Sequence, residues 1–333
     1  MFIICDSYTI EFEMEVVMAH EVETMAYAGE KPWHGLGVPV SNDLTPQQMQ
    51  TKAGLDWEVT KEDLYISDGQ TVPGKKALVR SSDGAIFDVV GNDWNPIQND
   101  DAFAFFNEYV AAGDMEMETA GSLKGGRNVF ALAKVKESFS ILGDDQVDSY
   151  LLFSNPHEYG KAIDIRFTPV RVVCNNTLTF SLQAASKNFV KLNHRTTFDP
   201  DLVKEQMGLA SEKFAMYKDM AEFLSTKKFT VDSLVQYYNE VFPHTYANSR
   251  EKEVKELADL TKNGKQAMDV LYTQPGAQYG EGTWWQALNS VTYLTDHVMG
   301  KSAESRMQSS WFGQNQARKV RAVNKAVEYA NAA

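Results

Sequence analysis

The spacing of apolar positions changes once along this chain. Up to about residue 198, apolar residues alternate over short runs, as strands do, with two or three helices between them. Beyond Asp199-Pro200-Asp201 they recur every three or four residues, and nearly everything reads as helix. Thr45-Pro46 caps a first short helix, with proline at its opening position. Trp57–Thr60 is β-prone. Lys76–Arg80 and Ala85–Gly91 flank a Ser82-Asp83-Gly84 turn and predict a hairpin. Asp100–Ala111 then predicts a helix, with Phe103, Phe106 and Val110 at core-facing spacing. The order is strand, strand, strand, helix.

In the next strand, Asn128–Val135, the residues Val129, Ala131, Ala133 and Val135 share one face. Ser149–Ser154 is another strand. In Lys161–Thr168, Ile163, Ile165 and Phe167 alternate with Asp164 and Arg166, which predicts an antiparallel sheet with one solvated side. Val170–Cys174 continues it, a short helix is expected over Thr177–Ala185, and Phe189–Thr197 reads as extended. After the break, Asp199 fits an N-cap and Pro200 a first turn. Val203, Met207, Ala210, Phe214, Tyr217, Ala221 and Leu224 then form the stripe of a long amphipathic helix. Further helices are expected near Val231–Phe242, Glu251–Leu260, Trp284–Met299 and Ala317–Ala330. Thr283 and Gly300 mark the ends of the Trp284 helix.

These patterns define an α+β class. An antiparallel sheet domain with the strand-strand-strand-helix core covers 19–198, and a helical domain covers 199–333. Residues 1–18 stand apart as an extension. Phe2-Ile3-Ile4 is too short for a signal core, and Glu11, Glu13 and Glu15 carry the wrong charge for one. Met18 offers a second start, so the natural protein is expected to begin there, and N-terminal sequencing decides it.

The 333 residues are enough for a sizeable core, and the formal net charge is −13. That balance argues against a general nucleic-acid coat but leaves room for a local basic surface. Cys5 and Cys174 lie far apart and fit a reducing cytosol better than a disulfide framework. No apolar stretch approaches a membrane span, so a cytoplasmic location without a membrane partner is expected.

Charge is segregated. Acidic residues concentrate in Glu11–Glu30, Asp100–Glu118 and Asp144–Asp148. Between Lys161 and Arg195, six cations (Lys161, Arg166, Arg171, Lys187, Lys191 and Arg195) face only Asp164. Lys124, Arg127, Lys134 and Lys136 form a second basic cluster. Arg318, Lys319, Arg321 and Lys325 lie mostly opposite Val320, Val323 and Val327, as on a surface face. One reading is a basic groove that tracks a phosphate backbone, with nearby aromatic rings stacking on bases. The other is solvated strand faces that pair with the acidic segments in space.

Candidate chemistry is sparse. There is no phosphate loop, no nucleophile elbow, and no Cys-x-x-Cys or His-Glu-x-x-His pattern, so no cofactor or metal is expected. Lys124-Gly125-Gly126-Arg127 fits an anion cradle, but a plain hairpin turn accounts for it more simply. Asp144, Asp145 and Asp148 lack the rest of a calcium loop and read as a solvated acidic loop. Asp296 and His297 are helix neighbours that do not face each other. Trp284, Trp285, Trp311 and Phe312 have core spacing.

Several motifs carry a resemblance. They are Pro32-Trp33-His34-Gly35-Leu36-Gly37, Asn176-Thr177-Leu178-Thr179, Gly282-Thr283-Trp284, Ala287-Leu288-Asn289, Asp296-His297, Ser302-Ala303-Glu304-Ser305-Arg306 and Trp311-Phe312-Gly313. In these the chain, from Met18 onward, resembles the phage/plasmid-like protein family, a domain of unknown function. The resemblance implies a mobile-element origin and the host cytoplasm, and it transfers no catalytic residues. The strand-strand-strand-helix order from Trp57 to Val110 is also similar in architecture to single-strand annealing proteins of the Red-beta and RecT class. There a sheet and its helix line a basic groove for single-stranded DNA, and protomers form rings or filaments, which implies a homo-oligomer.

The expected function is therefore a phage-encoded accessory protein that binds single-stranded DNA and promotes annealing in replication or recombination. Lys124, Arg127, Arg166, Arg171, Lys187, Lys191 and Arg195 would contact phosphates, and Trp57 or Trp94 would stack on bases. Annealing draws its free energy from base pairing and needs no metal or nucleotide hydrolysis. A second reading makes the acidic segments Asp100–Glu118 and Asp144–Asp148 the working face of a module that inhibits a host protein. A third is an enzyme with a pocket lined by His157, Glu158 and Asp164.

Overall fold

The computed structural model describes residues 22–32, 34–171, 176–177, 180–181, 200–244 and 254–332, without the side chains of 171–211. The extension 1–18, both cysteines and the run 187–195 lie outside the described residues. The chain enters through β1 (Val22–Ala28) and β2 (Val38–Val40), then α1 (Pro46–Lys52). A capping box starts α1: Gln48 N donates to Thr45 Oγ1 at 3.3 Å, and Thr45 N donates to Gln48 Oε1 at 2.8 Å. Next come β3 (Val59–Tyr65), β4 (Thr71–Arg80) and β5 (Ile86–Gly91), which pair antiparallel as a separate three-stranded sheet. The single helix expected over Asp100–Ala111 is instead two short ones, α2 (Asn99–Ala104) and α3 (Asn107–Ala112), with Phe103 and Phe106 still in the core.

A meander follows: β6 (Met115–Leu123), β7 (Asn128–Ile141), β8 (Asp145–Pro156) and β9 (Asp164–Arg171). Two short strands, β10 (Asn176–Thr177) and β11 (Phe180–Ser181), pair back on β9. Strand pairing thus occupies the start of the segment expected to be a helix over Thr177–Ala185. The large sheet runs β10-β9-β8-β7-β6-β1-β2, antiparallel except for the parallel β1–β2 pair.

The remaining chain is helical: α4 (Pro200–Thr226), α5 (Val231–Val241), α6 (Lys262–Val270), α7 (Trp284–Tyr293), α8 (Ala303–Phe312) and α9 (Gln314–Ala332). Thr283 caps α7 as expected, its hydroxyl accepting from Gln286 N. A π turn, Leu294–Val298, continues α7 before Gly300 at φ +107°. In the segment expected as helix over Glu251–Leu260, the described part is a 3₁₀ turn at Leu257–Asp259. Helices α6 and α8 were not expected.

Both faces of β7 are apolar, and helices reach both. On one face Val129, Ala131 and Ala133 share a cluster with Leu151, Phe153, Ile165 and Phe167 of β8 and β9. Helix α4 seats Phe214 on this face, 5.0 Å from Phe139 and 5.6 Å from Phe167, ring to ring. Tyr217 continues the contact to Trp285 of α7. One apolar cluster therefore crosses the boundary expected at 198/199. On the other face Phe130, Leu132, Tyr150 and Leu152 meet Met307 and Trp311 of α8. This corrects the expectation of a solvated side: α8 covers part of it.

Two charge assignments change as well. Lys319 is not on a surface face. Its Nζ lies 2.8 Å from Asp296 Oδ1, and both side chains are 0% exposed. Burial lowers the Lys319 pKa, and the Asp296 carboxylate opposes that shift. Asp145 is fully buried rather than solvated and accepts from Trp285 Nε1 at 2.8 Å, which ties the start of β8 to α7. Removing one member of a buried pair strands the other charge. Lys319→Met should therefore lower stability by about 3 kcal/mol or more, read as a reduced urea midpoint.

Candidate functional site

The structure scatters the expected nucleic-acid contacts. Lys124 and Arg127 are exposed at the tip of the β6–β7 hairpin, where Leu123 pairs with Asn128. The plain-turn reading of that loop holds: Lys124, Gly125 and Gly126 all adopt positive φ, at 55°, 64° and 84°. Arg166 is engaged. It bonds Asp164, donates Nη1–H to the Trp311 carbonyl at 2.7 Å, and lies 5.6 Å from the Phe312 ring centroid. Arg171 ends β9, where its backbone pairs with Val147. Lys187, Lys191 and Arg195 lie outside the described residues.

Trp57 and Trp94 are core residues, 7% and 5% exposed. Arg80 sits over the Trp57 ring at 5.5 Å, and Phe87 and His157 pack against it edge-on. A ring enclosed in this way has no open face for a base, so the stacking role expected of Trp57 and Trp94 is not available in this fold. His157 itself is buried against Phe87 and bonds Asn99, while Asp164 pairs with Arg166. The enzyme pocket expected around His157, Glu158 and Asp164 is not formed by these contacts.

A different aromatic residue stands near the exposed cations. His157 N donates to the Arg127 carbonyl at 2.7 Å, which fastens the 157–161 loop beside the hairpin tip. In that loop Lys161 is exposed and Tyr159 is 60% exposed. Asp88 accepts from Tyr159 N at 2.7 Å and so holds the loop in place. Lys124, Arg127 and Lys161 have no ion-pair partner among the described residues, and Glu158 is the acid within the loop. This end of the sheet presents three open cations and one open ring. Sequence reasoning counted Lys161 among the basic residues and missed Tyr159, whose only signal is a Tyr-Gly turn after a strand.

A second feature lies on the α8 side of the sheet. A cleft of about 430 Å³ is bounded by β6–β8, residues 28–32, His34 and Trp311. Its floor holds the ion pair of Lys134 with Asp148, at 2.7 Å. Asp148 is thus buried and paired, and with Asp145 it leaves the acidic face expected at Asp144–Asp148. Burial pulls the Lys134 ammonium down, but the Asp148 bond and the fields of Glu118 and Glu116 outweigh it, and its pKa ends up raised. Glu118 sits at a β-bulge, where the β6–β7 register slips between Met117 and Thr119. Its carboxyl is pushed up to about 7, chiefly by burial, with the Asp148 and Glu30 carboxylates adding to the push. The Tyr150 hydroxyl bond and Lys134 work against it. Tyr150 is raised in turn by burial and by Glu118.

His34 closes the cleft beside Trp311, with ring centroids 6.0 Å apart at 90°. Burial pushes its pKa down to about 3, so the imidazole is neutral at pH 7. Its Nδ1 accepts from Leu36 N at 3.2 Å, which places the ring proton on Nε2.

Architecture and site together define an α+β protein whose antiparallel sheet carries helices on both faces, with a basic hairpin end and a polar cleft. The chain belongs to the family described as a domain of unknown function, DUF932, whose model matches residues 86–330. Comparison with curated proteins and with solved structures finds no match. No helix among the described residues is long and apolar enough to cross a membrane.

The cleft makes a pH prediction. The folded pKa of Glu118 lies above its unfolded value of 4.5. Its contribution is therefore fully present below about pH 4.5 and is lost as pH rises through 7. Relative to Glu118→Gln, the wild-type protein should lose about 3 kcal/mol of stability between pH 4.5 and pH 8. Urea unfolding of both proteins across that range measures it, and a carboxyl-carbon NMR titration should show a midpoint near 7.

Proposed function

We propose that the protein binds single-stranded DNA through the hairpin end of the large sheet, as a phage-encoded accessory protein acting in the host cytoplasm and promoting strand annealing. The observation that carries this reading is the grouping of Lys124, Arg127 and Lys161 with the exposed ring of Tyr159. Three cations with no ion-pair partner among the described residues attract a phosphate backbone, and an open ring gives an unpaired base a stacking surface. Duplex bases, already stacked on each other, gain nothing from such a ring. The formal net charge of −13 disfavours non-specific contact with nucleic acid, so binding would depend on local groups of cations such as this one. Arg171, Lys187, Lys191 and Arg195 remain candidates to extend the track. A protomer with one such end would cover only a few nucleotides, so annealing would use several copies along a strand.

Fluorescence anisotropy with a labelled oligonucleotide across a salt series tests the reading. Binding should be measurable at low salt and weaken steeply as salt rises. The variant K124A/R127A/K161A should bind at least tenfold more weakly and flatten the log–log salt slope by about 2, at roughly 0.7 per phosphate contact. Tyr159→Ala should cost about 1–3 kcal/mol of affinity with little change in slope. No binding at low salt, or affinity that ignores salt, sinks the proposal.

A further inference from the structure

The cleft between β6–β8, residues 28–32, His34 and Trp311 has the size of a small-molecule site, about 430 Å³, and lies apart from the hairpin end. Its charge is unbalanced. Glu30, Glu116, Glu118 and Asp148 line it, against Lys31 and Lys134, and Lys134 is already paired with Asp148. The bulge at Glu118 places this carboxyl among the others, against the phenol of Tyr150.

A second observation is independent of the carboxylates. The Trp311 indole N–H is buried without an acceptor, in a residue 1% exposed that forms part of the cleft wall. Phe130, His34 and Phe312 pack edge-on around the ring and fix it. Indole nitrogen is only a donor, and a buried donor left unpaired costs about 1–3 kcal/mol. An occupant whose acceptor reached the N–H, with a small shift of the enclosing rings, would relieve that cost.

We propose that the cleft binds a small organic cation, an amine or guanidinium compound that also carries a carbonyl or carboxylate acceptor. The cationic group would sit among Glu30, Glu116 and Glu118, and the acceptor would take the Trp311 N–H. A cation there offsets the burial and the neighbouring carboxylates that together keep the Glu118 proton in place, so binding below neutral pH releases that proton. Affinity should then be flat above about pH 7 and fall toward tenfold per unit below it.

Isothermal titration calorimetry on the full chain tests this, with arginine and lysine as probes carrying both groups. Agmatine and cadaverine serve as cation-only probes and glutarate as an acceptor-only probe. The expected result is one-to-one uptake of arginine or lysine, weaker uptake of agmatine and cadaverine, and none of glutarate. Titration at pH 6 in two buffers of different ionisation heat should show proton release by the unmodified protein. Glu118→Gln should weaken binding at least tenfold at pH 8 and abolish the release, and Trp311→Phe should bring arginine down to the affinity of agmatine. No uptake of any cationic probe at millimolar concentration, preferential uptake of glutarate, or affinity unchanged in E118Q overturns the assignment. None of these readouts involves DNA, so the outcome is separate from that of the oligonucleotide titration.

Discussion

The central strands β7 and β8 are apolar on both faces, and the rest of the molecule answers that constraint. A meander with one polar face can leave that face in water, but Phe130, Leu132 and Leu152 cannot be left there. The chain meets this with helices on two sides. Helix α4, with α7 behind it, covers the face that carries Val129, Ala131, Leu151 and Phe153, while α8 brings Met307 and Trp311 to the other. The motif tryptophans divide the labour. Trp284 stacks on Tyr329 and meets Tyr237 inside the helical layer, and Trp285 turns toward the sheet to bond Asp145. Trp311 goes round to the far side. The second face is the less completely covered, and the cleft lies where α8 stops and the polar ends of β6–β8 begin.

Polar groups inside this frame are held by partners distant in the chain. Asp145 bonds a tryptophan 140 positions away, and Lys319 meets Asp296 across the turn between helices. Arg166 reaches the carbonyl at the end of α8. Each contact locks helices to sheet, or helix to helix, at a point where apolar packing alone would tolerate sliding. Each also withdraws a charge from the surface. The external electrostatics are therefore set by the charges left over, which at the hairpin end include Lys124, Arg127 and Lys161 with Glu158 beside them.

The two proposed surfaces differ in kind. The hairpin end carries exposed cations and an exposed ring, as an extended polymer held by charge and stacking would need. The cleft is lined by a carboxyl whose pKa is pushed up to about 7 and by a neutral imidazole, as a compact ligand would need. Their separation along the sheet allows one surface to be occupied without blocking the other.

Local pattern was enough for the elements whose partners are close in sequence. The hairpins, the Thr45 and Thr283 caps, the alternation of β7 and β9, and the Phe214–Leu224 stripe all follow from period and capping chemistry, which act within a few residues. Where pattern failed, the deciding partner came from far away. Lys319 sits among Arg318, Arg321 and Lys325 and looks like one of them until Asp296 is set beside it. Trp57 and Trp94 carry no mark of burial, because a tryptophan can stack on a base or fill a core with the same side chain. The Glu118 bulge is a slip in pairing between two strands and has no expression in either strand alone. Sequence by itself thus determined the class of fold, the sheet-then-helix order of its two halves and the local caps and hairpins, since those depend on short-range geometry. Which charges remain in water, and where a carboxyl is driven toward neutrality, only the tertiary structure decided, because burial and long-range pairing set the energy of a charge.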